Sequence, residues 1–395
     1  MFRDLRTFLI PYIDIANSCV LRDYPRHLNK FDGEWVEFLT DLDPMEAWTV
    51  TEHRAWTGAP ASLSRFAATI ESFNANVPFV HQQPSQNYQY MKPKKCHEVS
   101  QIVPLVAKEM GGGGRCGHVV DVGGGRGLLA HALTETLPHT IHSVDQDAAM
   151  QIWGQKTFSN NRLKFLNFKL SGSNLSQLRT CVESRSYWVG LHTCGALSLD
   201  LWRLANDSQY IGLLNIPCCY HGLGKKDLNL SPFGRSNPLA LDEFGLFLAA
   251  RGRRDIPFKQ FELLRTVFLY KSALTLYLKF EYGLNVVKFG SAKPSLYAES
   301  FEDYAQDRLG HLNRPELFNR KRVRQFFLDQ NSQRRIQEMF GTQLIRNTLA
   351  RALELDIVLD RADYFAEGGA RVRVAQIFDP QLSPRNLAIL VNAVI

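Results

Sequence analysis

A chain of 395 residues, 45% of them apolar, can bury two or three cores of roughly 150 residues each and needs no disulfide or metal to fold. Its 46 basic and 39 acidic residues leave a net charge of +7, too even for a disordered basic tail yet inclined towards anionic partners. Seven scattered cysteines argue against a disulfide framework, and no run reaches the ~18 uninterrupted apolar residues of a membrane span.

Pro11 and Asp14 break the apolar stretch Phe8 to Ile13, so no signal-peptide core is expected. A cytoplasmic or nuclear enzyme is the class that remains. Residues 1–85 read as a helical extension, with Trp35, Val36, Phe38, Leu39, Leu42, Trp48 and Trp56 recurring at helix-like intervals. Gln82 to Gln89, holding Pro84, reads as a linker. Met91 to Met110 resumes a helical period through Val99, Ile102, Val103 and Val106, and Gly111 to Gly114 ends it.

Short apolar runs then alternate with helical ones. Strands are expected at His118–Val122, Ile141–Val144, Leu163–Phe168, Tyr187–Leu191 and Tyr210–Ile216, with a helix at Leu128–Leu137. That alternation predicts an α/β fold with a doubly wound, mostly parallel sheet. Lys225 to Pro238 reads as an exposed loop, Phe261 to Tyr282 as a long helix, and Val286 to Phe289 as a strand. Pro315 to Phe365 reads mostly as helix and Arg371 to Phe378 as the last strand, while Leu387 to Ile395 suits a terminal strand or helix on the core. The expected division is a core over 86–225, a loop and helical insertion over 226–365, and a closing segment over 366–395.

The most informative run is His118-Val-Val-Asp-Val-Gly-Gly-Gly-Arg-Gly127. Neither a P-loop, which needs Gly-Lys-Ser/Thr, nor the dinucleotide Gly-x-Gly-x-x-Gly spacing fits it. Asp-x-Gly-x-Gly-x-Gly fits, and it resembles the first motif of the seven-stranded S-adenosylmethionine-dependent methyltransferases. Gly123, Gly125 and Gly127 would let the backbone approach the cofactor, and Asp121 would meet its methionine moiety with the backbone amides. Asp145, ending the second strand about 20 residues on, can accept both ribose hydroxyls. Asp147 competes for that role, and the alternative for either is a helix N-cap. Asn167-Phe-Lys-Leu170 offers no acid for the adenine amino group.

The fourth strand ends in Gly190-Leu-His-Thr-Cys-Gly195 and the fifth in Asn215-Ile-Pro-Cys-Cys-Tyr-His221. As neighbours in such a sheet they would gather His192, Cys194, Cys218, Cys219, Tyr220 and His221 as an acceptor site, with His192 or His221 as base. Packed cysteines beside a satisfied histidine are the alternative. A metal is not expected, because the spacing lacks paired C-x-x-C motifs and adjacent Cys218 and Cys219 on a strand would face opposite ways.

Asp121 to Gly127, Leu191-His-Thr-Cys-Gly-Ala-Leu197, Cys218-Cys-Tyr-His221, Met91-Lys-Pro-Lys-Lys-Cys-His-Glu-Val99, Leu359-Asp-Arg361 and Phe378-Asp-Pro-Gln-Leu-Ser-Pro-Arg-Asn386 together resemble the methyltransferase-like protein twenty-five family. One group within it is labelled ribosomal RNA adenine dimethylase domain-containing. The resemblance implies a seven-stranded, Rossmann-like methyltransferase core with a helical N-terminal extension and a helical insertion before the last strand. It implies S-adenosyl-L-methionine as cofactor, with Lys95, His97 and Glu98 facing it. The aromatic Asn/Asp-Pro-Pro-Tyr stretch of exocyclic-amine methylases is absent after the fourth strand, which leaves the acceptor open.

Arg320, Lys321, Arg322, Arg324, Arg334 and Arg335, with Arg251, Arg253 and Arg254, suit either RNA contact or a solvated surface. Phe326 and Phe327 beside them are expected to pack. A macromolecular acceptor, RNA or a translation-associated protein, is the expectation. The rival is a catalytically silent module of the same fold that binds RNA or a protein.

Overall fold

The computed structural model describes residues 1–82, 88, 90–110, 117–171, 178, 185–207, 210–224, 227–251 and 256–392. The chain forms two compact units, one from Met1–Pro11, Ser72–Arg254 and Ala350–Ile395, the other from Tyr12–Glu71 and Asp255–Leu349. Gly111 to Gly114, Pro84, Arg253 and Arg254 lie outside the described residues.

The first unit is built on a seven-stranded sheet: β1 His118–Val122, β2 Thr140–Asp145, β3 Leu163–Asn167, β4 Ser186–Cys194, β5 Gly212–Cys218, β6 Arg371–Gln376 and β7 Leu387–Asn392. Their order is β3-β2-β1-β4-β5-β7-β6. Strands β1 to β5 pair in parallel, and β7 runs antiparallel to both β5 and β6. The expected α/β, mostly parallel, doubly wound sheet is therefore the fold that forms. Winding from β1 to β3 and then back to β4 puts a switch point between β1 and β4. Parallel sheets of this kind bind ligands beyond the strand ends at that point.

Burial explains the strand placement. Four of the five residues of β1 and all seven of β5 are buried, as continuous apolar runs in the middle of a covered sheet require. Val119, Ile141, Val189, Leu214 and Leu390 join Val99, Ile102, Val103, Val106 and Leu133 in one core.

Several expectations are corrected by pairing that lies far along the chain. Arg371–Gln376 is not the last strand: it alternates exposed and half-buried residues over its first four positions and takes the sheet edge. Leu387–Asn392, buried over its first five residues, inserts between it and β5. Val286–Phe289 forms no strand. The loop expected over 225–238 is not wholly exposed, since Leu228 and Ser231 are buried and Pro232–Ser236 is a short helix capped by Ser231. Strands β4 and β5 run on past Leu191 and Ile216, carrying Cys194 and Cys218 into register opposite one another.

The second unit has its own core around the helix Phe258–Tyr282, with Leu274, Tyr277, Phe301, Tyr304, Leu309 and Met339 buried. Phe327 stacks on Phe301 at 4.5 Å and Phe326 meets Tyr277 edge-on at 5.6 Å, so both pack as expected. Arg320 bonds Asp303 at 2.9 Å, Arg334 bonds Asp41 at 2.6 Å, and Arg335 lies over Phe280 at 4.5 Å. Much of that basic cluster is thus committed to partners within its own unit.

Candidate functional site

The glycine turn follows β1 and opens the helix Leu128–Thr136. Gly123, Gly125 and Gly127 have φ of 73°, 56° and 72°, the left-handed region that other residues adopt only at a cost. A Cβ on Gly127 would sit 2.5 Å from the Phe165 ring, and one on Gly124 would sit 2.4 Å from Ser143 Oγ and 2.9 Å from Asp121 Oδ2. The glycines of the turn are therefore pressed against side chains of the sheet, and its one other residue, Arg126, turns its guanidinium over the Trp153 ring at 4.7 Å. The amides of Gly123 and Gly124 donate to the Val144 carbonyl at 2.9 and 3.2 Å.

Asp145 braces the same turn from the end of β2. Its Oδ2 accepts from the Gly125 amide at 2.9 Å and its Oδ1 from the Asp147 amide at 2.9 Å. Each oxygen keeps lone-pair capacity for a further donor. Asp147 caps the helix Ala148–Thr157 through the Met150 amide at 3.0 Å. Asn167 donates to the Asp145 carbonyl at 3.0 Å.

Asp121 lies under the turn, 2% exposed, and its Oδ2 has no hydrogen-bond partner. Burial pushes its carboxyl up to about 7, against the pull of Lys95 and the Ala130 amide. It supports the turn from behind and is shielded from direct solvent access. Sequence reasoning missed Ser143 and Gln151, whose side chains bond each other at 3.2 Å while Gln151 also donates to the Gly125 carbonyl at 2.7 Å. A buried serine within an apolar strand was the available signal for Ser143. Gln151 left none.

A second cluster joins residues 94 positions apart. Glu98, on the helix Pro93–Glu109, is buried, and its Oε1 accepts from His192 Nε2 at 2.7 Å and Ser383 Oγ at 2.8 Å. Lys95 Nζ stands 3.2 Å from Oε2. Burial alone would raise the Glu98 carboxyl, but His192, Lys95 and Ser383 together bring it down to about 2. His192 sits at a shift in the β4–β5 register with φ 59°, and its Nδ1 is buried without a partner. Holding a non-glycine residue there costs on the order of 1 kcal/mol, a strain that concentrates at functional sites. His97 turns elsewhere, accepting from the Asp379 amide at 3.0 Å. Burial lowers its pKa.

The third cluster is sulfur. Cys194 Sγ and Cys218 Sγ are 3.1 Å apart, and Cys218 Sγ and Cys219 Sγ 3.7 Å. Adjacent Cys218 and Cys219 do not face opposite ways as strand alternation predicts, because β5 ends at Cys218 and Cys219 is left-handed, at φ 52° and ψ 48°. The hydrogen bond with Cys218 lowers the Cys194 pKa, and the same contact raises that of Cys218. Cys116 and Cys181 lie outside the described residues.

Tyr220 and His221 do not join the sulfurs. Tyr220 is buried with its hydroxyl donating to the Pro217 carbonyl at 3.4 Å, and His221 stacks on Phe247 at 4.3 Å. Asn215 is a structural tie: its side-chain amide accepts from Ser198 and Trp202 and donates to the Gly190 carbonyl and Thr193 Oγ1.

Residues 94–226, spanning the Glu98 helix to the end of the Cys/His run, match the family model of a methyltransferase domain. The mouse (Mus musculus) "Probable methyltransferase-like protein 25" is 26% identical over 235 residues, covering 54% of this chain and 39% of that protein. The chain thus spans about two fifths of the length of that curated relative. Among solved structures, coclaurine N-methyltransferase bound to N-methylheliamine and SAH aligns over 99% of this chain and 97% of its own. Its identity is 12% and its TM-score 0.28, too slight a likeness to equate the two folds.

Proposed function

We propose that this methyltransferase domain makes the chain an S-adenosyl-L-methionine-dependent methyltransferase acting on a macromolecule, RNA or a translation-associated protein. The observation that carries the reading is the turn Gly123–Gly127, glycine at four of its five positions and braced by Asp145, beside the switch point of the sheet. The residues fit the cofactor: Asp145 keeps acceptor capacity for ribose hydroxyls, and the orphaned Asp121 Oδ2 puts a titratable acid behind a site for a cation. S-adenosylmethionine would supply an electrophilic methyl group on a sulfonium.

Methyl transfer of this kind is an in-line displacement, so the chain's main task is to align the acceptor. A cationic acceptor must also lose a proton. His192, whose Nε2 donates to Glu98, is the residue we assign as base. Glu98 orients the ring and stabilises the imidazolium that forms. RNA is supported by the net charge of +7, and a protein acceptor by the commitment of several arginines to internal ion pairs. The free thiols at Cys19, Cys96, Cys194, Cys218 and Cys219 suit a reducing, cytoplasmic or nuclear setting.

Calorimetry tests the reading. The protein should bind S-adenosylmethionine, and Asp145→Ala should weaken binding about tenfold or more, as loss of a charged hydrogen bond predicts. Absence of binding by the parent protein overturns the proposal. Tritiated methyl transfer into RNA-depleted and protein-depleted extracts of cells lacking the protein then identifies the acceptor class. Binding without transfer into either would favour a silent module.

A further inference from the structure

We propose that Cys194, Cys218 and Cys219 form a three-thiolate site for a divalent zinc-like cation, with the fourth coordination position open. The three sulfurs lie within 4.8 Å of one another, with measured edges of 3.1 and 3.7 Å. A tetrahedral ion with metal–sulfur bonds of ~2.3 Å holds its sulfurs about 3.8 Å apart, so small side-chain adjustments seat it. Among the described residues no other group of histidine, cysteine or carboxylate ligands converges in this way.

The backbone is built for the convergence. Strand alternation would send consecutive residues to opposite faces, and the left-handed turn at Cys219 brings its sulfur back beside that of Cys218. Register alone places Cys194 opposite Cys218 on the neighbouring strand. The Gly195 amide donates to the Cys218 carbonyl at 3.1 Å and the Gly222 amide to that of Cys219 at 2.9 Å. A Cβ on Gly195 would stand 3.0 Å from the Gly222 backbone, so the two turns lie against each other main chain to main chain. Sulfur positions held by paired backbone are preorganised ligands.

The graded exposure defines the open side. Cys218 is buried, Cys219 half-buried and Cys194 exposed, so the uncovered coordination position lies towards Cys194. Three protein ligands with a free fourth position is the arrangement of zinc sites that exchange water for a substrate atom. The inference rests on this geometry and stands apart from the methyl-donor reading.

The test uses the full chain, reduced and stripped with chelator, titrated with cobalt(II). Sulfur-to-cobalt charge-transfer absorption should saturate at one ion per chain, and zinc should displace it. Cys194→Ser and Cys219→Ser should each lose that absorption, and Cys19→Ser should keep it, with circular dichroism confirming that all three fold. No charge-transfer band in a folded, reduced parent overturns the site. Calorimetry with S-adenosylmethionine on the same samples separates the two proposals. Cobalt binding without donor binding sustains this one alone, and donor binding in protein that takes no metal overturns it.

Discussion

Replacing Asp121 by asparagine tests the electrostatics under the glycine turn. The carboxyl is buried with an unpartnered oxygen, and burial raises it from 3.8 to about 7. Its folded value lies above the unfolded one, so between about pH 4 and 7 the folded chain keeps a proton that the unfolded chain has released. The stability this contributes is complete below pH 4 and is lost as pH rises through 7. Ionising Asp121 in the folded chain costs about 4 kcal/mol more than in the unfolded chain. Asparagine carries no such cost, so Asp121→Asn should gain on the parent by about 2.5 kcal/mol between pH 5 and pH 8. Urea denaturation of both proteins across that range reads the difference, in which the other titrating groups cancel. A difference constant to within about 0.5 kcal/mol would refute the reasoning, because it would mean that Asp121 titrates alike in both states.

Two further substitutions follow from the site. Glu98→Gln removes a carboxylate held at about 2, so it should cost about 3 kcal/mol at pH 7. The folded value here lies below the unfolded one, so that cost should be constant above about pH 4.5 and shrink only as pH falls towards 2, which acid denaturation of both proteins checks. Gly127→Ala forces a left-handed alanine against the Phe165 ring, 2.5 Å from its Cβ, and should destabilise by about 2–4 kcal/mol, visible as a lowered melting temperature. An unchanged melting temperature would show that the turn relaxes freely.

Residues whose environment is set by near neighbours were legible from the chain alone. The strand His118–Val122, the turn Gly123–Gly127 and the acid Asp145 all leave local signatures, because an apolar run, a left-handed turn and a strand end each demand particular side chains nearby. The Glu98–His192 contact left no such mark. Helical period explains Glu98 as one turn of a helix, and only packing brings it to a histidine 94 residues away. Asp121 read as a ligand-facing acid, and only burial beneath the turn shows it as a neutral support at low pH.

The sheet shows the same division. Alternation marked Arg371–Phe378 as a strand, the apolar run Leu387–Ile395 suited a strand or a helix, and tertiary pairing decided that the second is a strand and lies inside the first. The cysteines mark the boundary most clearly. Sequence determined that Cys194, Cys218 and Cys219 stood at two strand ends and, by alternation, set the last two apart. The fold decided otherwise, because one left-handed residue at the end of β5 reverses the direction of a side chain, and alternation carries no information about where a strand stops.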